Sequence, residues 1–327
     1  MQPIADFRFA PVYDLAVASL TGCGPVTRAE NQDNFVVIDF EGQACRLEGG
    51  APRRSRVAGW PRGHGRVAVL DGMGGHGHGR EAAEAVAAGL LAIPPCTGVD
   101  ELARRLDALH AELQERFAQA AEGASGSAAV RPGTTLTLLE LPAGGAPLLY
   151  HVGDSRLYEL RPDQAVPLTV DHVPATGAAL AGRLDEAGWW RQVHGQHTPQ
   201  IAQAFILGNT FADPAGLADS LYPLGAAKLP PWLAQWPDRR VLALRADCAY
   251  LLATDGFWSC VRPDAFVCHW PLLFAGAADA AAILDRLFGA LEHDPPPGLH
   301  PDNLTALVLR PLPQQSDETA LPTDTPK

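Results

Sequence analysis

The sequence predicts an α+β domain of packed layers around a largely antiparallel core. Apolar residues make up 47% of the 327-residue chain against 19% charged, enough to fill a substantial interior. Strand-like stretches come first, two helices follow, and more strands come after, rather than a one-for-one alternation of strand and helix. The hydrophobic period switches with them, dense or two-residue in the strands and three- and four-residue in the helices.

Taken in order, the first strands are "YDLAVASLTG" from Tyr13 and "DNFVVIDF" from Asp33. Residues 41–65, rich in Gly, Arg and Pro, read as a long surface loop. Val67 to Leu70 form the next strand. The first helix then carries an apolar side of Ala82, Ala83, Val86 and Leu90, and the second one of Leu102, Leu106, Leu109, Leu113 and Phe117. Strands return in "TTLTLLEL", "PLLYHVGDSRLYEL" and "AVPLTVDH". Residues 172–240 read as irregular, with a short apolar "IAQAFILG" inside. "RVLAL" and "AYLLATDG" read as a strand pair, and Ile283, Leu284, Leu287 and Leu291 mark a helix. "NLTALVLRP" is the last strand. One domain is expected over 1–312, with insertions at about 41–65 and 172–240, then a disordered polar tail over 313–327.

The formal charge of −12 argues against a nucleic-acid partner, because phosphate backbones reward clustered Lys and Arg. Six cysteines lie far apart with no paired spacing, so small buried hydrophobes in a reduced compartment are expected rather than disulfides or a zinc site. Neither a signal-peptide pattern nor a membrane span is evident, which gives a cytoplasmic expectation.

The stretch "RVAVLDGMGGHGHGREAAEAV" offers two readings. Gly72, Gly74 and Gly77 fit G-x-G-x-x-G between a strand and a helix, the dinucleotide fingerprint. That motif requires a second parallel strand after the helix, whereas "PPCTGVDELARRL" opens another helix, and Asp71 would repel a pyrophosphate. Asp71 instead has company. Asp33, Asp154, Asp255 and Asp302 also stand where apolar strands begin or end, beside small or turn-forming residues. Aligned strands put their ends on one rim, and carboxylates gathered there repel one another unless they bind cations. An all-oxygen donor set suits Mg²⁺ or Mn²⁺.

Seven motifs then stand in order: R-x-x-N-Q-D (Arg28 to Asp33), D-G-M-G-G-H (Asp71 to His76), G-T-T (from Gly133), V-G-D-S-R (Val152 to Arg156), L-T-x-D-H (Leu168 to His172), A-T-D-G (Ala253 to Gly256) and D-N-x-T (from Asp302). Together they resemble the metal-dependent serine/threonine protein phosphatases of the 2C type in their bacterial form, over roughly residues 15–310. The resemblance implies an α-β-β-α sandwich of two antiparallel sheets. It implies Asp71 as a ligand bridging two Mn²⁺ or Mg²⁺ ions, with Asp33 and the Gly72 carbonyl completing one site and Asp255 and Asp302 the other. Asp154 matches the residue that, with Asp255, holds a weaker third ion, and Arg28 the arginine that grips the substrate phosphate. Asn303, Thr134, Thr135 and His172 are given structural roles. The implied reaction is direct hydrolysis of phosphoserine or phosphothreonine proteins by a water bridging the metals, opposing a serine/threonine kinase, in a monomer.

Position 73 is Met where many eukaryotic relatives carry a histidine proposed as general acid, which leaves His76, His78 or a metal-bound water for that role. Residues 172–200 match the family's flap segment poorly, and 209–240 form an untypical insertion. A catalytically silent phosphatase-like binding module and a small-molecule phosphoesterase remain the alternatives.

Overall fold

The computed structural model describes residues 3–23, 26–74, 78–122 and 131–313; the expected tail beyond these lies outside the described residues. Two antiparallel sheets lie face to face. One runs, edge to edge, Tyr13–Leu20, Leu304–Pro311, Ala249–Ala253, Arg156–Leu160 and Ala165–Pro167. The other runs Arg239–Val241, Leu148–Val152, Leu136–Leu141, Gly65–Leu70, Asn34–Ile38, Gln43–Glu48 and Ala51–Arg56.

Side-chain alternation builds three cores from these strands. Phe35, Val37, Val67 and Val69 meet Val17, Leu252 and Leu307 between the sheets. The opposite faces of the same strands, through Val36, Ile38, Ala68 and Leu70, pack on helix α1 (His78–Ala92) and helix α2 (Val99–Glu122). Ala16, Leu251 and Ala306 take the long helix Ala280–His293 on the far side, whose N-cap Asp279 accepts from the Ala282 amide at 2.8 Å. The expected α-β-β-α layering holds. So do the apolar faces of the first two helices, with Phe117 packed at the margin of its core.

Three sequence expectations fail. The supposed loop at 41–65 is largely a β-hairpin, Gln43–Glu48 paired with Ala51–Arg56, that extends the seven-stranded sheet. Gly49 and Gly50 both adopt positive φ (59° and 76°), the pattern of a two-residue hairpin turn, and the run of arginines hid it because the outer strand is wholly exposed. "RVLAL" and "AYLLATDG" do not pair. Arg239–Val241 joins Leu148–Val152 in one sheet and Ala249–Ala253 lies between two strands of the other. Residues 172–240 are also less irregular than expected. Helix α3 (Pro174–Leu180) and helix α4 (Glu186–Val193) share a small core of Val170, Ala179, Trp189 and Val193 with Leu224, Leu229 and Leu233 from the later stretch. The two untypical segments therefore pack on each other, and the second supports the first.

Candidate active site

Strand register brings the predicted carboxylates to one rim. Asn34 pairs with Leu70 in antiparallel strands, so Asp33 just before one strand and Asp71 just after the other emerge side by side. In the facing sheet Arg156 pairs with Ala253, which puts Asp154 and Asp255, each two residues beyond, at a common end. Ala253 pairs with Ala306 and carries Asp302 to the same edge. The resulting cleft, about 970 Å³, is lined by Arg28, Asp71, Gly72, Asp154, Asp255 and Asp302 among others. Asp33 sits beneath it, 2% exposed.

Backbone contacts fix the loops that bear these groups. The Asp71 amide donates to Thr135 Oγ1 at 2.9 Å and its carbonyl accepts from the Thr135 amide at 2.9 Å, so buried Thr135 anchors the turn. A Cβ at Gly72 would lie 2.4 Å from the Gln32 carbonyl oxygen and 2.3 Å from that of Gly79, so only glycine lets the 28–33 loop and the start of α1 close together. Asn303 Oδ1 accepts from the Gln32 amide at 2.8 Å, and its Nδ2 donates to the Glu30 carbonyl at 2.9 Å. This is the structural role the sequence suggested, since Asn303 staples the Arg28 loop to the strand that carries Asp302. His172 is buried and accepts from the Gly153 amide at 2.9 Å through Nδ1, which fixes the turn into Asp154.

Electrostatically the cleft is strained by its own charge. Burial is the leading cause at every carboxylate. It pushes Asp33 up to about 8 and Asp302 up to about 6, with neighbouring carboxylates adding and hydroxyl or guanidinium contacts opposing. Asp71 and Asp154 lie well above the ordinary range, and Asp255 is also raised. Thr254 donates to Asp33 Oδ2 at 2.8 Å. Among the described residues no three His, Cys, Asp or Glu side chains form a ready-made coordination sphere. The carboxylates line a shared cleft and raise one another's proton affinity. That chemistry, hard oxygen donors with unneutralised repulsion, fits divalent cations such as Mg²⁺ or Mn²⁺.

Arg28 is not free in this arrangement. Its Nη2 lies 2.9 Å from Asp302 Oδ1 and its Nε donates to the Pro301 carbonyl at 2.8 Å, with half the side chain exposed. His78 begins α1 and does not itself line the cleft, but it sits 3.4 Å from Glu81, which does; His76 lies outside the described residues.

Sequence reasoning missed the wall beyond Asp154. His197 Nε2 lies 3.9 Å from Asp255 Oδ2 and 3.3 Å from Ser259 Oγ, and burial holds this imidazole below its ordinary range. Arg156 is buried and grips Asp171 at 2.7 and 3.0 Å, donates to the Val193 carbonyl at 2.7 Å, and lies over Trp258 at 4.6 Å. It thereby ties helix α4 to the strand that follows Asp154. The motifs V-G-D-S-R and L-T-x-D-H held both partners of that pair; His197 lay in a stretch without any motif.

Paired antiparallel sheets between helical layers, with a carboxylate cleft at the strand ends, define the sandwich fold of the metal-dependent serine/threonine phosphatases. Solved structures agree. The Streptococcus agalactiae serine/threonine phosphatase matches with a TM-score of 0.61 at 19% identity, covering 91% of this chain and 99% of its own. The Mycobacterium tuberculosis phosphatase PstP/Ppp matches at 0.58 and 22%, covering 92% and 100%. A PstP catalytic domain solved with two manganese ions matches at 0.56 and 22%, covering 92% and 99%. No protein-family model and no curated protein sequence matches the chain. The fold is thus that of the bacterial 2C-type phosphatases.

Proposed function

We propose that this chain is a divalent-metal-dependent protein serine/threonine phosphatase. The observation that carries the reading is the register-driven convergence of Asp33, Asp71, Asp154, Asp255 and Asp302 on one cleft, with Arg28 at its mouth. Asp71, Asp33 and the Gly72 carbonyl would hold one ion, Asp71, Asp255 and Asp302 a second, and Asp154 with Asp255 a weaker third. Divalent ions held by these residues would supply Lewis acidity, lowering the pKa of a nucleophilic water and neutralising phosphate charge.

The chain's own residues do the rest. Thr135 fixes the Asp71 backbone and Thr254 holds the Asp33 carboxylate at hydrogen-bond distance, which limits how far either must move. Arg28, released from Asp302, presents two parallel donors to a phosphate, the geometry in which a guanidinium binds an oxyanion best. The substrates would be phosphoserine or phosphothreonine in protein chains, and the enzyme a cytoplasmic monomer that opposes a serine/threonine kinase.

The test is the initial rate on p-nitrophenyl phosphate with Mn²⁺, Mg²⁺ or EDTA, for wild type and Asp255→Asn. A metal-dependent rate that falls by roughly two orders of magnitude or more in the variant is expected. No turnover in any metal, with Mn²⁺ still bound tightly, would favour the silent binding module.

A further inference from the structure

The cleft does not end at Asp154. A narrower slot of about 210 Å³ opens from it and shares Asp154, Gln200 and Asp255 with its lining. This slot passes beneath the flap, floored by Trp258 and walled by Val173, Pro174 and Val193, with His197 at its inner side. At its far end it shares Gln192 and Gln196 with a third depression of about 750 Å³ on the outer face of α4. The three hollows thus adjoin one another in series, from the carboxylates to the outer face of α4.

That outer bay is where charge complementarity appears. It is lined by Arg183, Arg191, Asp185 and three further flap residues besides the two glutamines. Neither guanidinium has an ion-pair or side-chain hydrogen-bond partner among the described residues, whereas Arg131, Arg156 and Arg239 are each tied to a carboxylate. Asp185 offsets one of the two positive charges, so two guanidiniums against one carboxylate leave the lining with a net charge of +1. Its Oδ1 is engaged as the N-cap of α4, accepting from the Gly188 amide at 2.8 Å. Two exposed, unpaired arginines thus face one bay in a protein whose formal charge is −12. Against that background they form a local attractive well for an anion.

Resting on the phosphatase reading, we infer that this series of hollows is the seat of an extended peptide substrate. Arg183 and Arg191 select an anionic side chain, acidic or itself phosphorylated, a few residues from the phosphoresidue in the cleft. The uncharged glutamines along the slot accommodate the intervening backbone through amide hydrogen bonds without demanding a particular sequence. Specificity would then come from the far bay, with the catalytic cleft indifferent to the neighbours of its target.

The experiment compares phosphothreonine peptides that differ only in one flanking position, stepped along either side as Ala, Glu or a second phosphothreonine. The readout is the ratio of kcat/KM for anionic over neutral peptide within each protein, with p-nitrophenyl phosphate turnover measured beside it. Wild type should favour the anionic peptides at one spacing by roughly tenfold, as expected for charge-assisted contacts to two guanidiniums. Arg183→Ala/Arg191→Ala should bring the ratio to about one, mainly through KM, and Arg183→Lys/Arg191→Lys should keep most of the glutamate preference as point charges. A glutamate arm and a phosphothreonine arm tell the two anion sources apart.

An unchanged ratio in the alanine double variant, or no anionic preference at any spacing, overturns the proposal even while p-nitrophenyl phosphate is hydrolysed. Absence of that hydrolysis would instead overturn the phosphatase reading. Fluorescence anisotropy of the same labelled peptides on wild type and the double variant would still decide whether the bay holds an anion.

Discussion

Removing one carboxylate from the cleft should make the metal-free protein more stable and the metal-loaded protein less so. Asp302→Asn is the cleanest perturbation. Asp302 is raised from 3.8 to about 6, chiefly by burial and then by Asp255, with the Arg28 guanidinium opposing. A carboxyl whose folded-state value is raised favours the fold only while protonated. Its contribution is fully present below pH 3.8 and is lost as pH climbs from 3.8 to about 6. A rise of that size corresponds to roughly 3 kcal/mol, and the 23% exposure of the side chain reduces this to about 2 kcal/mol. Asp302 also raises both Asp33 and Asp71, so its removal relieves them as well.

The buried histidines, among them His151 and His194, are held below the ordinary range by burial and push in the opposite direction, gaining stability as pH rises. The difference between variant and wild type cancels them, so that difference is the quantity to measure. In EDTA, thermal unfolding should show Asp302→Asn gaining about 2 kcal/mol on wild type between the acid and neutral ends of the titration, or several degrees in Tm. With saturating Mn²⁺ the order should reverse, since an ion at a hundred times its Kd adds about 2.7 kcal/mol to the protein that binds it. A variant less stable than wild type by the same amount at every pH in EDTA would refute the claim of carboxylate repulsion. It would leave Asp302 as merely the anchor of Arg28 and the Asn303 amide.

Two further outcomes follow. Arg28→Ala should raise KM for a phosphopeptide by about tenfold with a smaller loss in kcat, as expected when a bidentate phosphate contact is removed; steady-state kinetics showing no change in KM would reduce Arg28 to a latch on Asp302. Glu140→Ala should destabilise the fold by about 3–5 kcal/mol in denaturant melts, because it strands Arg66, which is fully buried and held by that carboxylate at 2.6 Å. The Arg66→Met/Glu140→Leu pair should recover only part of that loss, because the Leu90, Ile93 and Pro94 carbonyls, His64 and the Cys96 amide lose their partners.

What the sequence made legible depended on whether local pattern and long-range register said the same thing. Every predicted carboxylate belonged to a strand whose apolar run was readable, and antiparallel register then left little freedom in where its end could fall. Asp33 and Asp71 are neighbours because Asn34 pairs with Leu70, not because anything near either residue announces the other. The hairpin at 43–56 defeated the same method. Its outer strand buries nothing, so no apolar alternation marks it, and only the Gly49–Gly50 turn carries a signal. Arg66 escaped notice for the converse reason. It interrupts a buried strand, and its partners, Glu140 and the Leu90, Ile93 and Pro94 carbonyls, come from distant places in the chain.

The flap shows where legibility stops and why. Its helices α3 and α4 are short, and their core is completed by Leu224, Leu229 and Leu233 from a segment much further along the chain, so neither half carries a full amphipathic pattern. Yet its attachment to the site was already written in two motifs, as Arg156 and Asp171. That buried pair joins the strand after Asp154 to the carbonyl of Val193 at the end of α4. A change in how the flap packs must therefore be felt next to Asp154 and Asp255, since the same guanidinium serves both. The carboxylate rim is fixed by sheet register, whereas the flap is held by a small core and a few polar contacts, the buried Arg156–Asp171 pair foremost. Under the proposed function, substrate selection can therefore diverge in the flap while the carboxylate cleft stays unchanged.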